Sequence, residues 1–366
     1  DDKQQLFKEF FHSLIVSEGE LPLDHLVSHL KENKPLQTVP NLIYLEDDKV
    51  IRNPKTEALP YEEMVCPTFD QLPLEKYLMP YPVLPYMSSR GCYWGKCTFC
   101  THSFIYDSHY RKENEVRVAE ELDHLSKKYK TKYFTFSDEA ISPNAFNRMS
   151  KEILKRGVEM RSLGMLKFES GEKESPELFD DVYRAGFLML FFGLESANDR
   201  ILSVIDKGCD QETERTVLRH SSEAGIWNHL YLFFGFPTEE RAEAEDTIRF
   251  TIENSEVESG IIHSVGQSIF ALEKDSAIYH NPAKFKIDRI IHNPERDMAI
   301  VFDFEIKSGM PRDEVMDVYE SFDSVIEEHF PSRKIWNYLS REHFLLYLDH
   351  YGKEEILNMA TTDVAP

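Results

Sequence analysis

The sequence predicts an α/β fold: a partial (β/α)6 TIM-like barrel with an N-terminal βα element and a C-terminal helical cap. Three observations carry it. Short, apolar, β-rich runs recur at 83–89, 133–137, 161–166, 188–193 and 231–236, with a sixth at 261–270, as strands buried on both faces require. Helical spacings separate them, Val118, Leu122 and Leu125 in one case and Phe146, Met149 and Ile153 in another, with charged residues on the opposite face. The repeat of roughly 30 residues matches the βαβ unit, whose right-handed crossover makes a parallel sheet. Six units are too few for a closed eight-fold barrel, and ligands of such sheets bind beyond the C-terminal ends of the strands.

The barrel is assigned to 83–275, leaving two flanks of different character. Residues 1–50 hold one apolar run, 13–17, then Ser17-Glu18-Gly19-Glu20 and a short amphipathic helix with Leu23, Leu26, Val27 and Leu30. One strand cannot make a sheet, so this strand is expected at an exposed edge or packed on the linker. Residues 51–82, rich in Pro and Tyr without clear period, read as a linker laid over the core. Residues 276–366 read as a mostly helical extension, with Val315, Val318, Phe322 and Val325 on one face, followed by a helical stretch at 336–357. The acidic stretch 239–246 reads as a solvated helix face.

Composition narrows the function. The chain has 366 residues, 41% hydrophobic and 29% charged, a soluble globular balance. With 42 Lys+Arg against 65 Asp+Glu the formal net charge is −23, so the average surface repels nucleic acid and anionic lipid. The longest near-apolar stretch, 187–194, is far too short to cross a bilayer, and Lys8 and Glu9 interrupt the N-terminal apolar run, unlike a secretory leader. A cytoplasmic protein is expected. The chain begins at Asp1 and reads as a processed or truncated piece of something longer.

Five cysteines are too few for a disulfide scaffold, but Cys92, Cys97 and Cys100 fall within nine positions, just past the first barrel strand. Three thiolates on a loop at the barrel mouth suit an iron–sulfur cluster with one open position, or zinc, because soft sulfur selects these over hard cations. The zinc reading takes His102 as fourth ligand in Cys97-x2-Cys100-x-His102. An inert trio of packed thiols is the remaining alternative.

The segment from Ser88 to Cys100 resembles the cluster loop of radical S-adenosylmethionine enzymes, in which three cysteines hold a four-iron four-sulfur (4Fe-4S) cluster and the fourth iron is left for the cofactor. The usual spacing in that family is three residues then two; here it is four then two. The resemblance covers roughly residues 60–360. Phe136-Ser137-Asp138-Glu139-Ala140, Phe192-Gly193-Leu194-Glu195-Ser196 with Asp206-Lys207-Gly208, and Phe234-Gly235-Phe236-Pro237-Thr238 look like strand-end motifs of the subgroup that often carries an N-terminal cobalamin-binding domain. Residues 10–31 are similar to the tail of that domain, whose Asp-x-His-x-x-Gly signature does not occur in this chain.

The resemblance implies a set of roles. Phe99 matches the aromatic position beside the adenine. Lys207 matches the clamp for the methionyl carboxylate, against the plainer reading of a helix-end lysine before Gly208. Glu195 has the chemistry to accept from ribose hydroxyls, with a helix cap as its alternative. Asp138 and Glu139 are both cofactor-binding candidates, Glu139 matching the acceptor for the amine, and one of the two could instead merely turn the chain. Lys167 stands where an arginine is common and would contact the methionyl carboxylate or substrate. Gly235 and Pro237 would shape the backbone near the adenine, and Cys66 and Cys209 read as packed thiols.

The activity so implied is reductive cleavage of S-adenosylmethionine to methionine and a 5′-deoxyadenosyl radical, leading in this subgroup to cobalamin-linked C-methylation. Non-methylating oxidation or rearrangement stands behind it. The implied partners are a small-molecule or peptide substrate and an electron donor such as flavodoxin or ferredoxin, with cobalamin bound through a domain mostly outside this chain. A zinc-stabilised binding module is the reading from a different class. A tRNA-modifying relative is disfavoured by the charge.

Overall fold

The computed structural model describes residues 8–56, 58–102, 109–169, 174–293, 296 and 299–361. Near the N-terminus, β1 (Ser13–Ile15) leads into α1 (Glu20–Glu32), and a hairpin of β2 (Leu42–Glu46) and β3 (Lys49–Arg52) follows. The three strands form an antiparallel sheet in the order β1-β2-β3. The predicted lone strand is therefore paired, with partners the sequence reading overlooked. The turn between β2 and β3 is Asp47-Asp48, both at positive φ (46° and 62°), which gives the primed hairpin twist without the Asn-Gly that usually announces it. Leu26 of α1 packs with Val39, Leu42 and Tyr44 to form a small separate core.

In segment 53–82 Tyr61 and Phe69 are buried, Phe69 joining the main core. Then β4 (Val83–Tyr86) opens the main sheet, and a short ribbon, β5 (Ser89–Arg90) against β6 (Arg111–Lys112), closes the base of the cysteine loop. The alternation follows: α2 (Glu115–Tyr129), β7 (Tyr133–Phe136), α3 (Pro143–Arg156), β8 (Arg161–Leu166), α4 (Pro176–Arg184), β9 (Phe187–Glu195), α5 (Asp199–Val204), α6 (Gln211–Glu223), β10 (Trp227–Phe234), α7 (Arg241–Glu253) and β11 (Ser264–Ile269). Six strands pair in parallel in the order β4-β7-β8-β9-β10-β11. Local chemistry agrees with the boundaries. In α3, Ser142 caps by accepting from the Ala145 N–H, Pro143 occupies the first turn, and Gly157 ends the helix at φ 68°.

Beyond β11 the described chain is mostly helical, with one small sheet that the sequence reading did not anticipate. A second small sheet joins β12 (Leu272–Glu273), β13 (Ile287–Ile291) and β14 (Val301–Ile306) in the order β12-β14-β13. After it, α8 (Arg312–His329) lies on the barrel itself, its Val315, Val318, Phe322 and Ile326 sharing the main core, with Phe322 edge-on to Phe234 of β10 at 5.3 Å. It completes the sixth β/α unit. Next, α9 (Arg341–Tyr351) and α10 (Lys353–Thr361) do not cap the mouth. Phe344, Leu345 and Leu348 of α9 pack on Tyr133, Leu163, Met189 and Trp227, residues at or near the starts of their strands, so the helix plugs the end opposite the mouth. Asp349 fixes it there, pairing with Arg161 at 2.6 Å and Lys132 at 2.9 Å and accepting from the Tyr133 hydroxyl at 2.8 Å.

One charged stretch is also read differently by the structure. Glu239 is 1% exposed, and its Oε2 accepts from the Gly235 N–H at 2.6 Å, so it holds the turn after β10 rather than facing solvent. Glu240 caps α7 in a reciprocal box with Glu243.

Candidate active site

The cysteine loop is anchored before it begins. Asp138, just past β7, accepts from the Ser88 N–H at 3.0 Å, the Ser88 hydroxyl at 2.7 Å and the Ser89 hydroxyl at 2.5 Å, and is 4% exposed. Both its oxygens are taken, which corrects the expectation of a cofactor contact: Asp138 sets the exit of β4. Gly91 and Gly95 then turn the chain at φ 78° and 62°. Within the loop, the Cys100 N–H donates to the Cys97 carbonyl at 3.2 Å and the His102 N–H to the Cys100 Sγ at 3.5 Å.

Cys92, Cys97 and Cys100 are unpaired and partly buried. Burial pushes the Cys100 thiol up to about 12 and raises Cys97 as well. Thiolates here need a bonded cation to exist at neutral pH, which is what metal ligation supplies. Among the described residues no three His, Cys, Asp or Glu side chains stand close enough together to bind a single metal ion. His102, the fourth ligand of the zinc reading, instead pairs through Nε2 with Glu139 at 2.9 Å. That pairing occupies the side chain proposed as the fourth zinc ligand. Three free cysteines as the donor set fit a polynuclear cluster, in which each thiolate takes a different iron.

Beside the loop lies a buried ion pair. Glu195 ends β9 in the left-handed region (φ 64°), where the register with β10 shifts, and Lys207 approaches it at 3.0 Å. The pair lies over Gly193, where a Cβ would come within 2.4 Å of Glu195 Oε1 and 2.8 Å of Lys207 Nζ. Only glycine leaves room for it. Burial alone would pull Lys207 down, but the Glu195 carboxylate and Cys97 outweigh it and hold the ammonium charged. Lys207 is in the turn after α5, between Asp206 and Gly208, rather than on a helix.

Lys167, directly after β8, is also buried, and burial lowers its pKa. Its Nζ donates to the Phe168 carbonyl at 2.7 Å and stands 4.3 Å from the Trp94 ring centroid. Phe99 sits edge-on to Phe233 of β10 at 5.2 Å. The predicted Cys92, Cys97, Cys100, Phe99, Glu139, Lys167, Glu195 and Lys207 thus gather at the C-terminal end of the sheet, with Cys97 in electrostatic reach of Lys207, Glu195 and Lys167.

Other predicted or notable groups stand aside. Cys66 packs on the main core, and the Cys209 thiol donates to Glu214 Oε1 at 3.7 Å. Sequence reasoning missed Trp94 and the fitting role of Gly193. A glycine inside a strand signals close backbone approach, so Gly193 was readable in principle. It also missed the tie between Glu18 and two arginines: Arg90 donates to it at 2.6 Å and Arg111 pairs with its other oxygen, joining the N-terminal unit to the loop's base.

An open sheet of six parallel β/α units with three cysteines at its mouth defines a class, and comparison with known proteins agrees. Residues 86–251 match the model of the Radical SAM superfamily. An uncharacterised methyltransferase of Pyrococcus horikoshii is 29% identical over 244 residues, covering 65% of this chain and 52% of that protein. The chain therefore spans about half the length of this curated relative. Among solved structures, OxsB, a cobalamin-dependent S-adenosylmethionine radical enzyme with aqua-cobalamin and S-adenosylmethionine bound, superposes with a TM-score of 0.69 at 17% identity, covering 98% of this chain and 64% of that one. The radical S-adenosylmethionine methyltransferase TsrM from Kitasatospora setae, with cobalamin and a [4Fe-4S] cluster bound, gives 0.67 at 16% identity, covering 98% and 78%.

Proposed function

We propose that this chain is the S-adenosylmethionine-cleaving part of a cobalamin-linked C-methylating enzyme. The observation that carries the reading is the juxtaposition of three partly buried thiols with the Lys207–Glu195 pair over Gly193. A 4Fe-4S cluster held by Cys92, Cys97 and Cys100 would supply the electron for reductive cleavage of the sulfonium bond. Lys207 then binds the methionyl carboxylate, Glu195 accepts from the ribose, Glu139 accepts from the amine, and Phe99 lies along the adenine. Lys167 adds a second buried cation to the same anion site. The aromatic lining formed by Phe99, Phe233, Phe236 and Phe270 keeps water from the mouth.

Methyl transfer is supported by the name of the Pyrococcus relative and by likeness in fold to two cobalamin-binding proteins. The segment Ser17-Glu18-Gly19-Glu20 would be the barrel-side end of a cobalamin-binding domain. Substrate is a small molecule or peptide, and a flavodoxin or ferredoxin is the electron source. No helix among the described residues is long and apolar enough to cross a membrane.

The test is anaerobic reconstitution with iron and sulfide, then assay of methionine, 5′-deoxyadenosine and S-adenosylhomocysteine, with and without methylcobalamin. Methyl transfer is expected to give S-adenosylhomocysteine alongside 5′-deoxyadenosine once the cobalamin domain is supplied. 5′-Deoxyadenosine alone under those conditions would leave radical initiation without methylation.

A further inference from the structure

Trp94 occupies the four-residue interval between Cys92 and Cys97, followed at once by Gly95 at positive φ. Its indole reaches out of the loop to the turn that carries Lys207. The Nε1–H donates to the Asp206 carbonyl at 2.7 Å. The ring lies against Gly208, where an added Cβ would come within 2.3 Å of indole Cζ2. Asp206 and Gly208 are the two neighbours of Lys207, and both are left-handed, at φ 54° and 75°. Asp206 carries a Cβ, and the Trp94 bond to its carbonyl helps to hold that left-handed backbone.

The same loop supplies more such bonds. The Thr98 N–H donates to the Ile205 carbonyl at 2.9 Å, and its hydroxyl to the Val204 carbonyl at 3.4 Å. Residues 204–206 are therefore fastened, carbonyl by carbonyl, to the cysteine loop. The indole also faces the Lys167 ammonium at 4.3 Å and the Lys96 ammonium at 4.6 Å.

We propose that Trp94 is a positioning residue for Lys207: by gripping both neighbours of that lysine it fixes the ammonium relative to the three thiols, so that loop and carboxylate clamp move as one unit. The inference rests on the reading of Lys207 as the clamp for the methionyl carboxylate. Trp94 touches neither cluster nor cofactor in this scheme. It acts through Asp206 and Gly208.

The experiment is a double-mutant cycle read by calorimetric binding of S-adenosylmethionine to anaerobically reconstituted protein, with iron and sulfide measured on every sample. Trp94→Phe keeps a ring against Gly208 and loses the N–H donor, and should weaken binding by roughly three- to tenfold at unchanged iron content. In the Lys207→Ala background the same change should alter affinity by less than about twofold. Gly208→Ala, which displaces the indole from the other side, should behave as Trp94→Phe does. Equal losses in both backgrounds, or iron lost in proportion to affinity, would overturn the positioning role. Unchanged affinity in Lys207→Ala alone would overturn the clamp reading instead, so the two failures are distinguishable.

Discussion

The barrel and the N-terminal unit are built on opposite terms. Strand β9 buries nearly every residue from Phe187 to Leu194, because helices cover one face and the barrel interior the other. The N-terminal sheet has a core of four buried side chains, and α1 leaves Leu23, Val27 and Leu30 exposed, Leu30 by 60%. What joins the two includes the polar contacts of Glu18 and Glu20 with Arg90 and of Glu18 with Arg111. The mouth is thus a rigid site fixed by buried bonds, whereas the N-terminal unit is a thin layer with an apolar helix face that nothing among the described residues covers.

The largest effect that would break this contrast is in the cysteine loop. Cys97→Ala should abolish the broad visible absorbance of the cluster and all cofactor cleavage, while Cys66→Ala should retain both. A retained cluster in Cys97→Ala would remove the mouth from the account. Next comes the buried pair. Lys207→Ala should weaken S-adenosylmethionine binding by on the order of 2 to 4 kcal/mol with iron content intact. Gly193→Ala, whose Cβ would collide with both partners, should lower affinity in the same direction.

Burial at the mouth should also show as pH dependence. Burial raises Glu239 from 4.5 to about 7. Below about pH 4.5 the group is protonated in folded and unfolded chains alike, and no stability is lost. As pH rises from 4.5 to 7 the unfolded chain releases the proton first, so folding weakens by roughly 3 kcal/mol across that window. Denaturant unfolding of wild type and Glu239→Gln at fixed pH values checks this: the difference between them should move against wild type as pH rises, and parallel profiles would contradict it.

The smallest expected effect lies at the joint. Glu18→Ala should loosen the N-terminal unit by about 1 to 3 kcal/mol, seen as faster protease cutting within residues 8–32, with cluster content unchanged. Protection equal to that of the barrel in both proteins would erase the distinction between the regions.

How much was legible in the sequence follows the same line. The six barrel strands could be read because burial on both faces leaves continuous apolar runs, and the cysteine spacing and strand-end motifs located the mouth. The hairpin at Leu42–Arg52 escaped because Asp47-Asp48 stands where a glycine turn would have marked it. In β14, Phe302, Phe304 and Ile306 alternate with exposed residues, a period of two hidden in a region read for helix. Glu239 was invisible because an acidic run looks solvated until a backbone N–H is found against one of its members. Trp94 was invisible for a different reason: its partners, Asp206 and Gly208, lie more than a hundred residues away, and no local pattern records such a contact.

The central claim is that Cys92, Cys97 and Cys100 hold a 4Fe-4S cluster which, with Lys207 beside it, binds and cleaves S-adenosylmethionine. The most direct measurement is iron, sulfide and zinc content of anaerobically reconstituted chain, together with 5′-deoxyadenosine formed after addition of reductant and S-adenosylmethionine. About four irons and four sulfides per chain, with 5′-deoxyadenosine and methionine in equal amounts, is the expected result. One equivalent of zinc, no iron and no nucleoside product would contradict it.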